Sequence, residues 1–132
     1  DPRLKAIVSS CGFDSYLNYY DGNPENWQPE RGWCQTRYML KLADYRGWLA
    51  EIPFDFHELL GALAPRTVFI NAPLNDSNFK ARSVDEIVNA AAAVYRLYGM
   101  QQNLEVAHPA TGHDFPEAER ERAYLMLAAK LR

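Results

Sequence analysis

The sequence has 132 residues, 48% of them apolar, which is enough for one domain with one core. Its net charge is −3 and it has no cluster of Lys and Arg, which argues against a nucleic-acid-binding surface and against attachment to anionic lipid. No segment approaches the ~20 apolar residues of a membrane span, so we expect no membrane partner. A small molecule or another protein is the expected partner, and nothing in the sequence assigns a compartment.

The chain opens with a predicted strand and an aromatic-rich segment. "LKAIVSS" (4–10) is a short apolar run between Pro2 and Gly12 and is typical of a buried strand. The following segment, about 13–51, is rich in Trp and Tyr and is interrupted by turn formers such as "DGNPENWQPERG". We interpret it as an insertion or cap-like segment of loops with one or two short helices, the latter near "CQTRYMLKLAD" (34–44). Most of its aromatic side chains suit packing against the domain, and some are candidates for lining a cleft.

A short helix and a second strand follow the aromatic-rich segment. The helix is predicted in "DFHELLGALAP" (55–65), where Asp55 and Glu58 have the spacing of a capping box. The strand is predicted in "TVFINAP" (67–73) and leads into the polar loop "LNDSNFKAR".

The last third of the chain is predicted as helix, strand, helix. "SVDEIVNAAAAVYRLYG" has the apolar periodicity of a helix, with Ser83 and Glu86 as a capping box and Gly99 as its stop. "LEVAHP" (104–109) is the third strand. A final helix is predicted over 116–131, with its apolar face formed by Tyr124, Leu127, Ala128 and Leu131.

This alternation predicts an α/β fold in which three parallel strands are joined by right-handed crossovers and flanked by helices. In such sheets ligands bind at the carboxyl ends of the strands. The loops of interest are therefore the one after Ser10, the one with Asp76 and the one with His113.

Asp76 and His113 are the candidate catalytic residues. Each follows a predicted strand, and the separation of 37 residues is filled by one helix and one strand, so both side chains should lie at the same edge of the sheet. An Asp that accepts a hydrogen bond from one imidazole nitrogen leaves the other nitrogen free to act as a general base. The pair would supply two members of a catalytic triad.

Four segments also resemble those of a known family. "FINAPLNDSNF" is similar to its acid loop, "HPATGHDFP" to its histidine loop, "DPRLKAIVSSCGF" to the strand after its nucleophile helix and "IPFDFHELLGALAPR" to the helix before its acid strand. Together they resemble the C-terminal half of an α/β-hydrolase, in the branch with the dienelactone hydrolase-like and acetyl xylan esterase-like enzymes. The resemblance implies a single partial domain over 1–132. It also implies a serine hydrolase that cleaves small carboxylic esters through a Ser-His-Asp triad, with Asp76 and His113 as two of its members and no cofactor or metal.

The nucleophile of that family is absent from the sequence. A G-x-S-x-G elbow does not occur, and none of the serines is flanked by glycines between a strand and a helix. We therefore expect the nucleophilic serine upstream, in the missing N-terminal half of the same domain, and no triad hydrolysis by this chain alone. Without that half the strand at 4–10 would have an open edge, which predicts self-association.

Several alternatives remain open at this stage. His113 could merely satisfy backbone groups, Asp76 could be a turn former, and Asp114 is expected to cap the final helix. His108 and His113, with Asp114, fit no metal-ligand spacing, so we predict no metal site there. Cys11 could line the cleft or be a buried thiol.

For the whole chain the alternative functions are a peptidase-type α/β-hydrolase and a non-catalytic α/β module that binds a ligand or partner.

Overall fold

The computed structural model describes residue 1 and residues 3–131. Its sheet has three parallel strands in the order β1 (Ala6–Ser10), β2 (Thr67–Asn71), β3 (Leu104–Ala107). The central strand β2 is buried along its whole length, which explains why its three central residues are apolar. The predicted parallel α/β sheet is confirmed.

Three α-helices cover the two faces of the sheet. They are α1 (Phe56–Gly61), α2 (Ala81–Leu97) and α3 (Glu117–Lys130). Val68 and Ile70 of β2 pack in one core with the buried face of α2, whereas Phe69 points to the opposite face and packs with Ala123 of α3. Among the described residues, none of the helices is both long and apolar enough to cross a membrane.

The starts of α1 and α2 differ in how well the sequence predicts them. The capping box of α1 is present, and the backbone N–H of Asp55 donates to Glu58 Oε2 at 2.5 Å. The predicted Ser83 cap of α2 is wrong, because the helix begins two residues earlier and Ser83 lies in its first turn. The Ser83 hydroxyl instead accepts from Asn18 Nδ2 at 3.0 Å, which ties α2 to the aromatic-rich segment. Gly99 follows the end of α2 with a φ of +64°, as predicted.

The start of α3 also corrects the sequence-based prediction. Pro116 precedes the first helical residue, no side chain caps the helix, and Asp114 is therefore not its cap. The Asp114 carbonyl accepts a hydrogen bond from Asn71 Nδ2 at 2.9 Å, so the backbone of this residue fixes the loop before α3 to the end of β2.

The predicted apolar face of α3 is wrong as well. Tyr124 and Leu131 are 65% and 69% exposed, whereas Ala123 is buried and Met126 packs beside it. The small Ala123 lets the helix approach the sheet closely, and this selects a different face from the one with the largest apolar side chains.

The segment at 13–51 contains no α-helix, and the short helices predicted near 34–44 are 3-10 helices. The chain there forms 3-10 turns at Gly32–Cys34 and Leu40–Tyr45. Between them the N–H of Tyr38 donates to the Gln35 carbonyl at 2.8 Å, so local turns satisfy the backbone in place of a helix.

These turns enclose a second core, which we call the aromatic core. It is formed by Tyr16, Tyr19, Trp27, Cys34 and Leu42. Trp27 is fully buried, and the rings of Tyr16 and Tyr19 meet it edge-on at centroid distances of 5.8 and 6.0 Å. The cysteine in this core and Cys11 are both free thiols.

Burial of Tyr16 in the aromatic core makes the free energy of unfolding depend on pH in the alkaline range. Burial, and secondarily the Asp55 carboxylate, raises the pKa of Tyr16 to about 12. The folded chain therefore holds this phenol proton more tightly than the unfolded chain, and stability should fall as the pH rises from about 10 to about 12, by about 2 kcal/mol. Urea unfolding of wild type and Tyr16→Phe across this range measures the effect. Tyr19 and Tyr95 titrate in both proteins, so parallel losses in the two would contradict the assignment.

The edge position of β1 generates a second prediction. β1 pairs with β2 on one side only within the described sheet, and its five residues are all partly exposed. An open strand edge is a template for pairing with another chain. The chain should therefore elute as a concentration-dependent mixture in size-exclusion chromatography with light scattering. A monomer with a cooperative melt at every concentration would be the contrary result.

Candidate active site

The loops that follow β2 and β3 are held together by backbone hydrogen bonds. Beyond the last residues of the strands, Ala72 N–H donates to the Ala107 carbonyl at 2.9 Å and Leu74 N–H to the Pro109 carbonyl at 3.0 Å. Asn75 N–H then donates to the Thr111 carbonyl at 3.1 Å. The parallel pairing thus continues almost to Asp76 on one strand and to His113 on the other.

The structure brings the two predicted site residues into direct contact. His113 Nδ1 lies 3.0 Å from Asp76 Oδ2 and 3.1 Å from Oδ1. The Asp76 side chain is 1% exposed, whereas that of His113 is 45% exposed. An ionised carboxylate can only accept, so this contact requires the proton on Nδ1, and in the neutral imidazole Nε2 then carries a lone pair.

Asp76 is held in place by its own loop. Its Oδ1 accepts from the backbone N–H of Asn78 at 2.7 Å and from that of Phe79 at 3.3 Å. This is the Asx-turn arrangement that the sequence allowed. The turn does not compete with the contact to His113, because Oδ2 remains available to the imidazole.

His113 faces an open cleft of about 350 Å³. The cleft wall from the aromatic-rich segment carries rings and two polar side chains, namely Tyr19, Trp33, Tyr38, Gln35 and Arg37. Asn78 and Phe79 also line the cleft, and the Phe79 ring lies 6.0 Å from the imidazole.

Asn78 and Phe79, which follow the predicted acid Asp76, are candidates for shaping the pocket from the sequence, and both line the cleft. In the aromatic-rich segment the sequence marks aromatic residues as possible cleft-lining groups but does not single out the five positions that line it. Arg37 and Gln35 in particular carry no motif. The structure places them there by a turn whose geometry depends on contacts distant in sequence.

Cys11 is the third chemically reactive group at this edge. It follows β1 with a φ of +47°, a conformation that is uncommon for a non-glycine residue, and it lines the cleft. Its Sγ contacts the Asp114 carbonyl at 3.3 Å and lies within 4.8 Å of the ligand atoms of Asp76 and His113. Burial, together with the nearby Asp76 carboxylate, raises the pKa of the Cys11 thiol.

The other histidines lie outside this group. His108 Nδ1 contacts the Ala72 carbonyl at 2.7 Å and Nε2 contacts Asp85 at 2.8 Å, so both ring nitrogens are engaged in anchoring the third strand's loop. His57 is half-exposed beside Glu58 at 3.4 Å. In the part of the chain that the structure describes, the three side chains that could hold a metal are Cys11, Asp76 and His113, and not the His108, His113 and Asp114 set.

Comparison with known proteins identifies the fold. No protein-family model matches the sequence. The curated proteins give no match either. Among solved structures, a glucuronoyl esterase from Solibacter usitatus superposes with a TM-score of 0.75 at 20% identity, over 98% of this chain and 37% of that chain.

Two further structures agree. A promiscuous CE15 esterase from a marine bacterial metagenome superposes with a TM-score of 0.73 at 18% identity, over 98% of this chain and 36% of that one. Another structure of the Solibacter usitatus glucuronoyl esterase gives 0.69 at 18% identity, over 98% and 37%.

The chain therefore shares the α/β fold of a part of these esterases, whose fold is that of the α/β-hydrolases, and it spans little more than a third of their length. Its architecture is consistent with the C-terminal part of that fold, as the resemblance in sequence implies. The dienelactone hydrolase-like subtype stays a prediction.

The two roles of Asp76 can be separated by substitution. Asp76→Ala removes the acceptor of two backbone N–H groups and should lower the free energy of unfolding by about 1–3 kcal/mol. Asp76→Asn keeps an Oδ1 acceptor and should lose less than half as much. Urea unfolding of both variants measures the two changes in the free energy of unfolding. An equal loss in the two variants would mean that Oδ1 does not stabilise the turn.

Proposed function

We propose that this chain belongs to a serine-type hydrolase of carboxylic esters, in which His113 is the general base and Asp76 orients it. The observation that carries the proposal is the contact of 3.0 Å between Nδ1 and Asp76 Oδ2 at the rim of an open cleft. The fold shared with esterases supports it.

In the proposed mechanism a serine from a part of the protein outside this sequence attacks the ester carbonyl. Nε2 of His113 takes the hydroxyl proton as the new C–O bond forms, and the Asp76 carboxylate stabilises the resulting imidazolium. The imidazolium then gives this proton to the departing alcohol, which leaves an acyl-enzyme. A water molecule, deprotonated by the same nitrogen, releases the acid and restores the serine. No step needs a cofactor or a metal, and this chain without the serine should be inactive.

The cleft also supports a substrate class. Aromatic faces with an Arg and a Gln beside them suit a sugar ring that carries polar or anionic substituents. Two of the structural neighbours are named glucuronoyl esterases. We therefore propose that the ester substrate contains a sugar or sugar-acid group.

The catalytic assignment is tested in the parent protein that contains the serine. His113→Ala should lower kcat/KM by about 10²–10⁴-fold because the proton acceptor is lost. Asp76→Asn should lower it by about 10⁴-fold because the imidazole is no longer held in the required tautomer. Asp114→Asn is the matched control, since this residue contacts its neighbours through its backbone carbonyl. Unchanged turnover in His113→Ala would remove the proposed base and favour a non-catalytic ligand-binding module.

A substrate panel addresses specificity. It would compare methyl esters of glucuronic acid, acetylated xylan, a lactone, short-chain aryl esters and a matching amide. We expect the sugar-containing esters to have the highest kcat/KM. Preference for the lactone would favour the dienelactone hydrolase-like subtype, and turnover of the amide would favour a peptidase-type enzyme.

A further inference from the structure

We propose that Cys11, Asp76 and His113 form a binding site for a thiophilic divalent cation such as Zn²⁺, through Cys11 Sγ, Asp76 Oδ2 and His113 Nδ1. The three ligand atoms come from three different strand ends and lie within 4.8 Å of one another. Thiolate, carboxylate and imidazole are the three ligand types that Zn²⁺ takes in proteins. The site stands on this geometry and not on the proposed esterase activity.

The distances require small adjustments of two side chains. At the bond lengths of tetrahedral zinc sites, about 2.3 Å to sulfur and about 2.1 Å to nitrogen or oxygen, sulfur lies roughly 3.5 Å from the other ligands, and nitrogen and oxygen lie roughly 3.4 Å apart. Nδ1 and Oδ2 are 3.0 Å apart, so the half-exposed His113 side chain has to move away from Asp76 by about 0.4 Å. Sγ has to approach the other two ligands by about 1.3 Å at most, which a rotation of the partly exposed Cys11 side chain can supply.

The surroundings of each ligand suit a bound cation. Asp76 Oδ1 accepts from two backbone N–H groups, which fix the carboxylate, whereas the one partner of Oδ2 among the described residues is His113 Nδ1, the second proposed ligand. Ser10 Oγ and Asn71 Nδ2 lie 3.7 and 3.8 Å from Cys11 Sγ and can donate to a thiolate. Such outer hydrogen bonds orient metal ligands and stabilise their charged form.

Binding of the cation releases one proton to solvent and moves another within the imidazole ring. The Cys11 thiol loses its proton to solvent, and the sulfur lone pair forms the bond to the cation. The imidazole proton moves from Nδ1 to Nε2, so that the Nδ1 lone pair becomes the second ligand. Asp76 Oδ2 is the third, and the fourth position stays open to solvent on the cleft side.

Cation binding and triad catalysis would exclude each other, a consequence that does rest on the proposed function. The triad needs the proton on Nδ1 and a lone pair on Nε2, whereas the bound cation imposes the opposite tautomer. A cation at this site would therefore inhibit the parent enzyme reversibly.

The test uses this chain and Co²⁺ as a spectroscopic probe. The sequence has two cysteines, so in Cys34→Ala the single remaining thiol is Cys11. Addition of Co²⁺ to Cys34→Ala should produce a saturable near-ultraviolet sulfur-to-cobalt charge-transfer band with one Co²⁺ per chain, and Zn²⁺ should bleach it. Absence of the band in a protein whose circular dichroism is unchanged would overturn the site, as would one Co²⁺ per two chains.

Two further variants test the other ligands. His113→Gln in the Cys34→Ala background changes a half-exposed side chain and should weaken Co²⁺ binding by at least about tenfold. Asp76→Asn should do the same, whereas Asp114→Asn should not. Binding that survives both ligand changes would mean that Cys11 acts alone and would overturn the proposal. In wild type, Zn²⁺ should also protect Cys11 from alkylation by iodoacetamide, and equal labelling with and without Zn²⁺ would count against it.

These outcomes are independent of the esterase assignment. The cobalt band and the alkylation of Cys11 report on binding whether or not the parent protein hydrolyses esters. Loss of the band with normal esterase activity would overturn the cation site alone.

Discussion

The parallel pairing of β2 with both of its neighbours is the constraint on which the candidate site depends. Parallel strands end at the same edge of a sheet, so the loops after β1, β2 and β3 emerge together. The pairing of β2 with β3 also continues past the strands through three backbone hydrogen bonds, the last from Asn75 to Thr111. Asp76 and His113, one and two residues further on, are therefore held opposite each other by the backbone before any side-chain contact contributes.

The aromatic core fixes the other wall of the cleft to this edge. The Phe79 ring, three residues after Asp76, stacks on Trp33 at 5.8 Å and packs against Tyr19 at 5.7 Å. Buried Asp14 adds a polar connection, because its carboxylate accepts from Ser15 N–H at 2.7 Å and from Lys80 N–H at 3.1 Å, just before α2. The aromatic-rich segment is thus a part of the cleft and not a separate lobe.

The sequence predicts the sheet and the contact between Asp76 and His113 because both have local signals. β2 has an apolar, β-branched and aromatic centre at 68–70, and the alternation of strands with helices implies parallel pairing. A histidine that follows a parallel strand lies at the same edge of the sheet as the residues that follow the neighbouring strands. The residues of the cleft wall could not be predicted in this way. Arg37 and Gln35 reach the cleft through turns that are selected by packing around Trp27 and Cys34, and no periodic pattern reports such packing.

The errors at the helices have the same physical origin. Ser83 has the sequence signature of a cap, yet tertiary hydrogen bonds to Asn18 use its hydroxyl while the helix begins earlier. For α3, apolar size suggested a face with Tyr124, whereas close approach to the sheet requires Ala123. In both cases a contact distant in sequence outweighs a local preference, which a single sequence does not reveal.

Asp76 combines two roles that the sequence presents as alternatives, namely a turn former and a hydrogen-bond partner of His113. Oδ1 accepts from the two backbone N–H groups of the loop, and both carboxylate oxygens lie within 3.1 Å of the imidazole Nδ1. The Asp76 carboxylate is therefore buried and fixed by its own loop, whereas the His113 side chain that it contacts is half-exposed. For the general base that we propose, a fixed acceptor would cost no reorganisation as positive charge develops on the imidazole. The same rigidity makes Nδ1 a selective position, since either a proton or a cation can occupy the space between it and Asp76, but not both.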